Sequence, residues 1–452
     1  MRSQIMNRGV LKISDARSKL GSTKLAAAAC SLPIMVIVSA LLLTALSAHA
    51  QETVLYNFCP SAGCVDGSYP GSSLTTDGAG NFYGTSGGGA TGNGTVFELS
   101  PNGVGGYNES VLYSFCSQPK CIDGSGPGYS NVIFDSSGNL YGTTVFGGAS
   151  GGFEGDGTVF ELSPEPVSGC PSGSNTGNGW CETVIHSFGI DGDAIFPSNG
   201  LVMDKQGNLY GNAISHAHYQ GRVNCLGLIY ELSPIAIGQG DGWAYKGIYS
   251  PKHENVSFNN EGLAIDGSGN LYGATGESVF ELSPNGVGGF TATIIHYFKG
   301  APPTGVPVVD SAGNLYGTSF FGGTGSCSGG CGTVWKLTPN AGKFKASTLY
   351  SFQGGTADGA TPYAGVVLDS RGNIYGTTST GGVNELGTVY ELAFNGVSYQ
   401  ESILLNFNGT DGYDPVASLI LVGGNLYGTT EYGGPSYSTT TLGDGVVFEL
   451  TP

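Results

Sequence analysis

One phrase fixes what this chain can fold into. DSSGNLYGTT, at residues 135–144, returns in near-copy as DGAGNFYGTS, DKQGNLYGNA, DGSGNLYGAT, DSAGNLYGTS, DSRGNIYGTT and VGGNLYGTT. Aligned on Asn81, Asn139, Asn208, Asn270, Asn314, Asn373 and Asn425, the copies lie 44 to 69 residues apart. That period belongs to repeat architectures built from one supersecondary unit. A short apolar run precedes the copies, as in NVIFD (131–135) and GVVLD (365–369), and a phrase of the type GTVFELSP (94–101, 157–164) follows each. A third phrase comes after that, as in SVLYSF (110–115), TVIHSF (183–188) and STLYSF (347–352).

Each repeat therefore offers four short β-type runs bounded by turn residues, here lettered a (xVIFD), b (NLYGTT), c (TVFEL) and d (VLYSF). D-x-x-G-N between a and b reads as a tight turn: Asp caps backbone N–H groups, and Gly and Asn tolerate positive φ. It faintly resembles a calcium loop but lacks the further acids at alternate positions and the closing Glu. The Gly after Tyr, as in Tyr141-Gly142, is expected to let a neighbouring backbone come close. Seven units of four strands with unequal loops predict an all-β, seven-bladed β-propeller of four-stranded blades. A β-solenoid would need shorter and more constant coils. The last repeat has a, b and c but no d, whereas ETVLYNF (52–58) is a d run at the other end of the repeats. The N-terminal strand is thus expected to join the last blade, close the ring and cover an edge.

Composition agrees with a turn-rich β protein that has a real core: 80 Gly stand beside 24 Tyr and 21 Phe. The first 50 residues differ. Six basic residues lead into an apolar run from about Leu25 to Ala48, and then Ala48-His49-Ala50. This reads as a secretory signal (1–50) cleaved before Gln51, ahead of a propeller domain (51–452). The run is also long enough for an uncleaved anchor. Without residues 1–50 the chain keeps ten basic residues against 33 acids, a net charge of −23. Such a chain repels nucleic acid and anionic lipid, so no nucleic-acid partner is expected, and no membrane contact after cleavage. A monomer is expected.

Nine cysteines follow the leader. Cys59/Cys64, Cys116/Cys121, Cys170/Cys181 and Cys327/Cys331 are close neighbours, read as disulfides of an exported protein. Zinc could be held at such spacings, but no matching His pair is present. Cys225 is left over.

The quoted residues carry a family resemblance. GNLYGTT…GG…GTVFELSP resembles the GloVer (Gloeo-Verruco) tandem repeat of bacterial exported proteins, over residues 52–452. The resemblance implies fold and location; it brings no activity to transfer. Members often end in a surface-anchoring signal, and this chain stops at its last repeat, so a released protein is expected.

A residue copied into every blade serves the frame, whereas a single site is needed once. Function is therefore sought in the loops that differ. The b→c and d→a loops share one face of a propeller. The d→a loops carry Asp-Gly turns at Asp66, Asp123, Asp191, Asp358 and Asp411. These either make turns by capping backbone N–H groups or gather at the channel mouth as a cation or polyol site. No cofactor is required, and a divalent cation at that mouth is the one candidate. Repeats three and four break the pattern. NAISHAHYQGRVNCLG (212–227) brings His216, His218 and Arg222 into a b→c loop, and SPKHENVSFNNEG (250–262) brings His253 into the next d→a loop. Those four residues are the candidates for catalysis if they converge. The expected function is a secreted binding or interaction module for extracellular carbohydrate or cell-envelope partners. The alternatives are a polysaccharide lyase or hydrolase using the four residues, and a purely structural envelope protein.

Overall fold

The computed structural model describes residues 50–149, 155–166, 168–170, 175–190, 194–219, 222–235, 242–250, 262–438 and 440–452, and for 175–177 and 215–226 the backbone alone. Residues 1–49 of the expected leader thus lie outside the described residues. From residue 50 onward the chain is a seven-bladed β-propeller of antiparallel four-stranded blades. In blade 1 the strands run a (Thr75–Thr76), b (Phe82–Ser86), c (Thr95–Pro101) and d (Tyr107–Ser114), hydrogen-bonded in that order. Blade 2 adds a fifth strand, Asn175–Gly177, beyond its d strand Trp180–Ser187.

The ring closes as expected. Strand d of blade 7 is the N-terminal segment Gln51–Asn57, antiparallel to the C-terminal strand c, Val446–Thr451. Its register runs from Gln51↔Thr451 to Asn57↔Val446. An N-terminal strand thus covers the edge that the last c strand would otherwise leave unpaired.

The sequence pattern of each strand follows from its depth. Strand b is buried along its whole length in blades 1, 2, 5 and 6. It lies between neighbouring blades on both faces, so its residues do not alternate. Strand d, at the rim, alternates: Tyr107–Ser114 reads intermediate and exposed in turn before its buried end.

The core is split among the seven seams between blades. At the seam of blades 1 and 2, Tyr83 and Val96 pack with Val132, Leu140 and Phe160. Where blade 7 meets blade 1, Tyr427 and Val447 pack with Leu74, Phe82 and Phe97. Repeats that bury apolar area chiefly against their neighbours gain stability from the closed ring as a whole.

The copied turn is a dense hydrogen-bond cage. Asp135 Oδ1 accepts the N–H groups of Ser137 (2.8 Å) and Asn139 (2.9 Å), and Oδ2 accepts Asn139 Nδ2 (2.8 Å) and Tyr141 Oη (3.3 Å). Asp77, Asp204, Asp266, Asp310 and Asp369 repeat this set. Blade 7 has no Asp there; Glu449 accepts Asn425 Nδ2 and Tyr427 Oη instead. The Thr that follows, present in every blade but 3 and 4, where Asn212 and Ala274 take its place, stitches a blade to the next. Thr85 Oγ1 donates to the carbonyl of Pro127 (2.9 Å), Thr318 to Ala364 (2.8 Å), and Thr429 to Ser72 across the closure (2.9 Å).

The Gly after Tyr needs a correction. What comes close is an aromatic ring of the same blade's strand c, not backbone. A Cβ on Gly84 would meet Phe97 Cζ at 2.6 Å, on Gly142 Phe160 Cζ at 2.5 Å, and on Gly317 Trp335 Cζ2 at 2.3 Å. Gly is kept because the large c-strand ring fills the space beside it.

All four expected disulfides are present: Cys59–Cys64, Cys116–Cys121, Cys170–Cys181 and Cys327–Cys331. Among the described residues no helix is long and apolar enough to cross a membrane.

Candidate functional site

The b→c and d→a loops share one face and pair with each other there. Ser68 bridges Gly87, Ser125 bridges Phe146, Gly359–Ala360 pairs with Thr380–Gly381, and Tyr413 bridges Tyr432. Four of the d→a loops then turn sharply into a proline. Tyr69, Phe196, Thr361 and Asp414 precede Pro70, Pro197, Pro362 and Pro415, with φ of 54°, 50°, 55° and 57°. Positive φ in such residues costs roughly 1–3 kcal/mol each and persists only where the surroundings enforce it. The enforcement is visible. The proline ring packs on the Gly that opens strand c of the preceding blade, so that a Cβ on Gly445 would meet Pro70 Cδ at 2.4 Å and one on Gly387 would meet Pro415 Cδ at 2.8 Å. The N–H of the strained residue is also fixed, Tyr69 donating to Asp444 O (2.7 Å) and Asp414 to Leu386 O (3.2 Å).

This rigid turn presents aromatic side chains at the loop face. Tyr69 stands 5.6 Å from Tyr432, edge to face, and Tyr432 stands 5.7 Å from Tyr413. Tyr437 continues the line at 6.4 Å from Tyr413. Tyr129, from the loop between blades 1 and 2, reaches across to blade 7, its hydroxyl donating to Glu431 Oε1 at 2.9 Å. Tyr69 is 43% exposed and Tyr129 57%, which is enough free ring surface for a ligand. Two carboxylates lie among these rings. Glu431 N–H donates to Asp414 O at 3.1 Å. Burial, and then the charge of Glu431, pushes the Asp414 carboxyl up to about 6. Further round the same face stand Phe146 beside Phe196 and Phe320 beside Tyr363.

The axis itself is nearly filled. A cavity of 80 Å³ there is lined by small residues at the heads of the a strands, such as Gly71, Asn131, Gly200, Gly262, Val306 and Ala364, with Tyr129 and Tyr363 at its edge. No Asp or Glu is among its described lining residues. Of the two readings of the Asp-Gly turns, the described ones follow the capping one. The Asp-Gly turn follows directly on strand d, the outermost strand, so its carboxylate stays at the rim. Asp66 Oδ2 accepts Tyr56 Oη (2.9 Å) and Cys59 N–H (2.9 Å). Asp123 Oδ2 accepts Tyr113 Oη (2.9 Å) and Ser117 N–H (2.8 Å). Asp358 accepts Tyr350 Oη (2.9 Å) and Gln353 N–H (2.7 Å), and Asp411 accepts Asn408 N–H (2.8 Å). Asp66, Asp123 and Asp358 are buried. Asp191 lies outside the described residues.

The divergent segments also differ from expectation. Residues 212–219 and 222–227 are not a loop but paired strands. Strand b of blade 3 runs Leu209–Tyr219 and strand c Arg222–Pro234, paired out to His216↔Cys225, His218↔Val223 and Tyr219↔Arg222. The alternation in AISHAHY and the Gln220-Gly221 between the arms carried that signal. His216 and His218 thus occupy alternate strand positions, and the side chains of His216, His218, Arg222 and Cys225 lie outside the description. So does His253 altogether.

On the opposite face a cleft of 850 Å³ opens between blades 3 and 4, lined by Asp204, Lys205, Tyr210, Glu231 and Asp266. Most of these belong to the phrase copied in the other blades, whereas the loop-face rings do not. The Gly-rich loop-face segments also place an aromatic before the Gly pair in VFGG (145–148), FFGG (320–323) and EYGG (431–434). Sequence reading passed over Asp414, three residues after Asp411.

Fold and loops together define a repeat-built β-propeller with an aromatic loop face. Residues 276–452 match the family model described as the Gloeobacter/Verrucomicrobia repeat. No curated protein matches the chain. Solved structures with a similar fold include the polysaccharide lyase Uly1 (10% identity, TM-score 0.49, covering 84% of this chain and 89% of that one). An ulvan lyase is similar at 9% identity and TM-score 0.44, covering 88% of this chain and 95% of its own. The periplasmic gluconolactonase of Pseudomonas aeruginosa is similar at 13% identity and TM-score 0.45, covering 79% and 95%. At these identities the likeness is one of fold.

Proposed function

We propose that this protein is an exported binding module whose loop face holds extracellular carbohydrate. The observation that carries this reading is the crescent of Tyr69, Tyr129, Tyr413, Tyr432 and Tyr437 around Asp414 and Glu431. Tyrosine offers a broad apolar face with a hydrogen-bonding tip at low entropic cost, which suits the mixed C–H and O–H surface of a sugar ring. Carboxylates among the rings accept from sugar hydroxyls. The four disulfides suit an oxidising compartment.

The test uses residues 51–452 on a panel of plant and microbial polysaccharides, reading both retained protein and released sugar. Retention without release is expected. Release lost in His216→Ala would instead make the protein a lyase or hydrolase. Absence of any retention would leave the structural envelope protein. For a retained glycan, affinity should fall as pH drops through about 6. There Asp414 takes up its proton and ceases to be a charged acceptor.

A further inference from the structure

A second pattern runs along the rim, in residues that the loop face does not use. The d-strand residue paired with the Leu of each FEL phrase is Glu109, Glu182, Tyr245, Ala292, Ala346, Glu401 and Glu52, from blade 1 to blade 7. Across the seams leading into those blades, the Asp-Gly turns supply Asp66, Asp123, Asp191, none, none, Asp358 and Asp411. Glu occurs at four seams, and each of the four also has the Asp. Both are missing where the position is Ala292 or Ala346. The Glu therefore never occurs without the Asp, although Asp191 in the sequence accompanies Tyr245.

The geometry makes both groups hard to ionise together. At the seam of blades 5 and 6, Tyr350 Oη lies 2.9 Å from Asp358 Oδ2 and 3.5 Å from Glu401 Oε2. That hydroxyl has one proton to give. Asp358 takes it and also two backbone N–H groups, from Gln353 and Gly359. Glu401 Oε1 is buried with no hydrogen-bond partner. Where blade 7 meets blade 1, Asp66 holds Tyr56 and Cys59 N–H through Oδ2, while Asp66 Oδ1 and Glu109 Oε1 are both buried without partners. Between blades 6 and 7, Glu52 Oε1 is likewise buried and unpartnered, facing Asp411. The charged or titratable groups acting on these glutamates are Asp66 with Tyr56 for Glu109, Asp358 with Tyr350 and Tyr390 for Glu401, and Asp411 for Glu52. Among the described residues no basic side chain offsets them.

We propose that Glu109, Glu401 and Glu52 fold in their protonated forms, so that these three seams each dock with one bound proton and the ring loosens as the medium turns alkaline. The aspartates take the tyrosine and backbone donors, Tyr56 and Cys59 N–H at Asp66 and Tyr350, Gln353 N–H and Gly359 N–H at Asp358. The glutamate carries the proton and, at Glu401, is placed to donate it to the tyrosine oxygen. Burial first, and the neighbouring aspartate second, push Glu109 up to about 8 and Glu52 and Glu401 to about 7. The native state then holds protons that the unfolded chain has already lost above about pH 4.5. This contribution is complete below that pH and disappears as pH rises through 7 to 8. The turn aspartates act in a different window: burial opposes their charge, but their hydrogen bonds hold Asp77, Asp266 and Asp310 below the ordinary value.

The experiment is urea unfolding of residues 51–452 at pH 5, 7 and 8.5. The folding constant of the wild type should fall by at least about tenfold across that range, since each unit of raised pKa is worth tenfold. Glu109→Gln with Glu401→Gln, which cannot ionise, should flatten the slope. A flat wild-type profile, or an unchanged slope in the double variant, overturns the proposal. Should the variant not fold, carboxyl carbon shifts of the native glutamates read the same protons, and titration of all of them near about 4.3 overturns it equally. Calcium is added in parallel at pH 8.5. A rise in the unfolding midpoint that the double variant lacks would make the seams cation sites and sink the proton reading.

Discussion

At the scale of single residues, most of what is copied in this chain is packing and hydrogen bonding that can be named. The Gly after each Tyr has a ring against it, and the cost of adding a methyl group is testable. Gly142→Ala would set a Cβ 2.5 Å from Phe160 Cζ and 3.2 Å from Val132 Cγ1. Overpacking of this kind costs about 1–3 kcal/mol, read as a lower urea midpoint. Gly267→Ala is the control, since nothing lies within 4 Å of its Cβ, and it should stay within about 0.5 kcal/mol of wild type. Equal effects at the two positions would discredit the packing reason for the copied Gly. The role of Asp in D-x-x-G-N was readable from sequence because the turn is local: the acceptor and its donors lie within six residues. The Asp-Gly carboxylates admit two readings from sequence because their partners come from strand d and from a seam that only the closed ring brings together.

At the scale of elements, the strand phases and the closure were legible, since a missing d run at one end and a spare one at the other leave few arrangements. The long hairpin of blade 3 was not. Histidines and a broken Gly pattern drew attention to chemistry and away from the period-two alternation beneath. The closing strand yields a direct prediction. Removing residues 51–57 uncovers Val446–Thr451, which pairs with it along its length apart from a bulge at Leu55, and takes Leu55 and Tyr56 from the seam packed around Phe58 and Phe97. The urea midpoint should drop sharply, and a peptide of residues 51–58 added in trans should restore part of it. A truncated chain that melts like the wild type would show that the strand is not a latch.

At the scale of the whole molecule, the ring explains why the loop face can be rigid although it is made of loops. Seven seams of buried rings, threonine stitches between blades and proline-locked turns hold Tyr69 and Asp414 in strained conformations that isolated loops would leave. Site residues contributed by blades 7, 1 and 2 meet only when the ring is closed, which is why no single stretch of sequence displayed them. The measurement that bears most directly on the carbohydrate reading is calorimetric titration of the glycan retained in the panel against three proteins. These are wild type, Tyr69→Ala with Tyr432→Ala on the loop face, and Val104→Ser at an 88–92% exposed class of hairpin tips on the opposite face. Loss of at least about tenfold in affinity in the tyrosine variant, with Val104→Ser at the wild-type value, is the expected result. Undiminished binding in the tyrosine variant, at unchanged stability, would contradict it and move the site off the loop face.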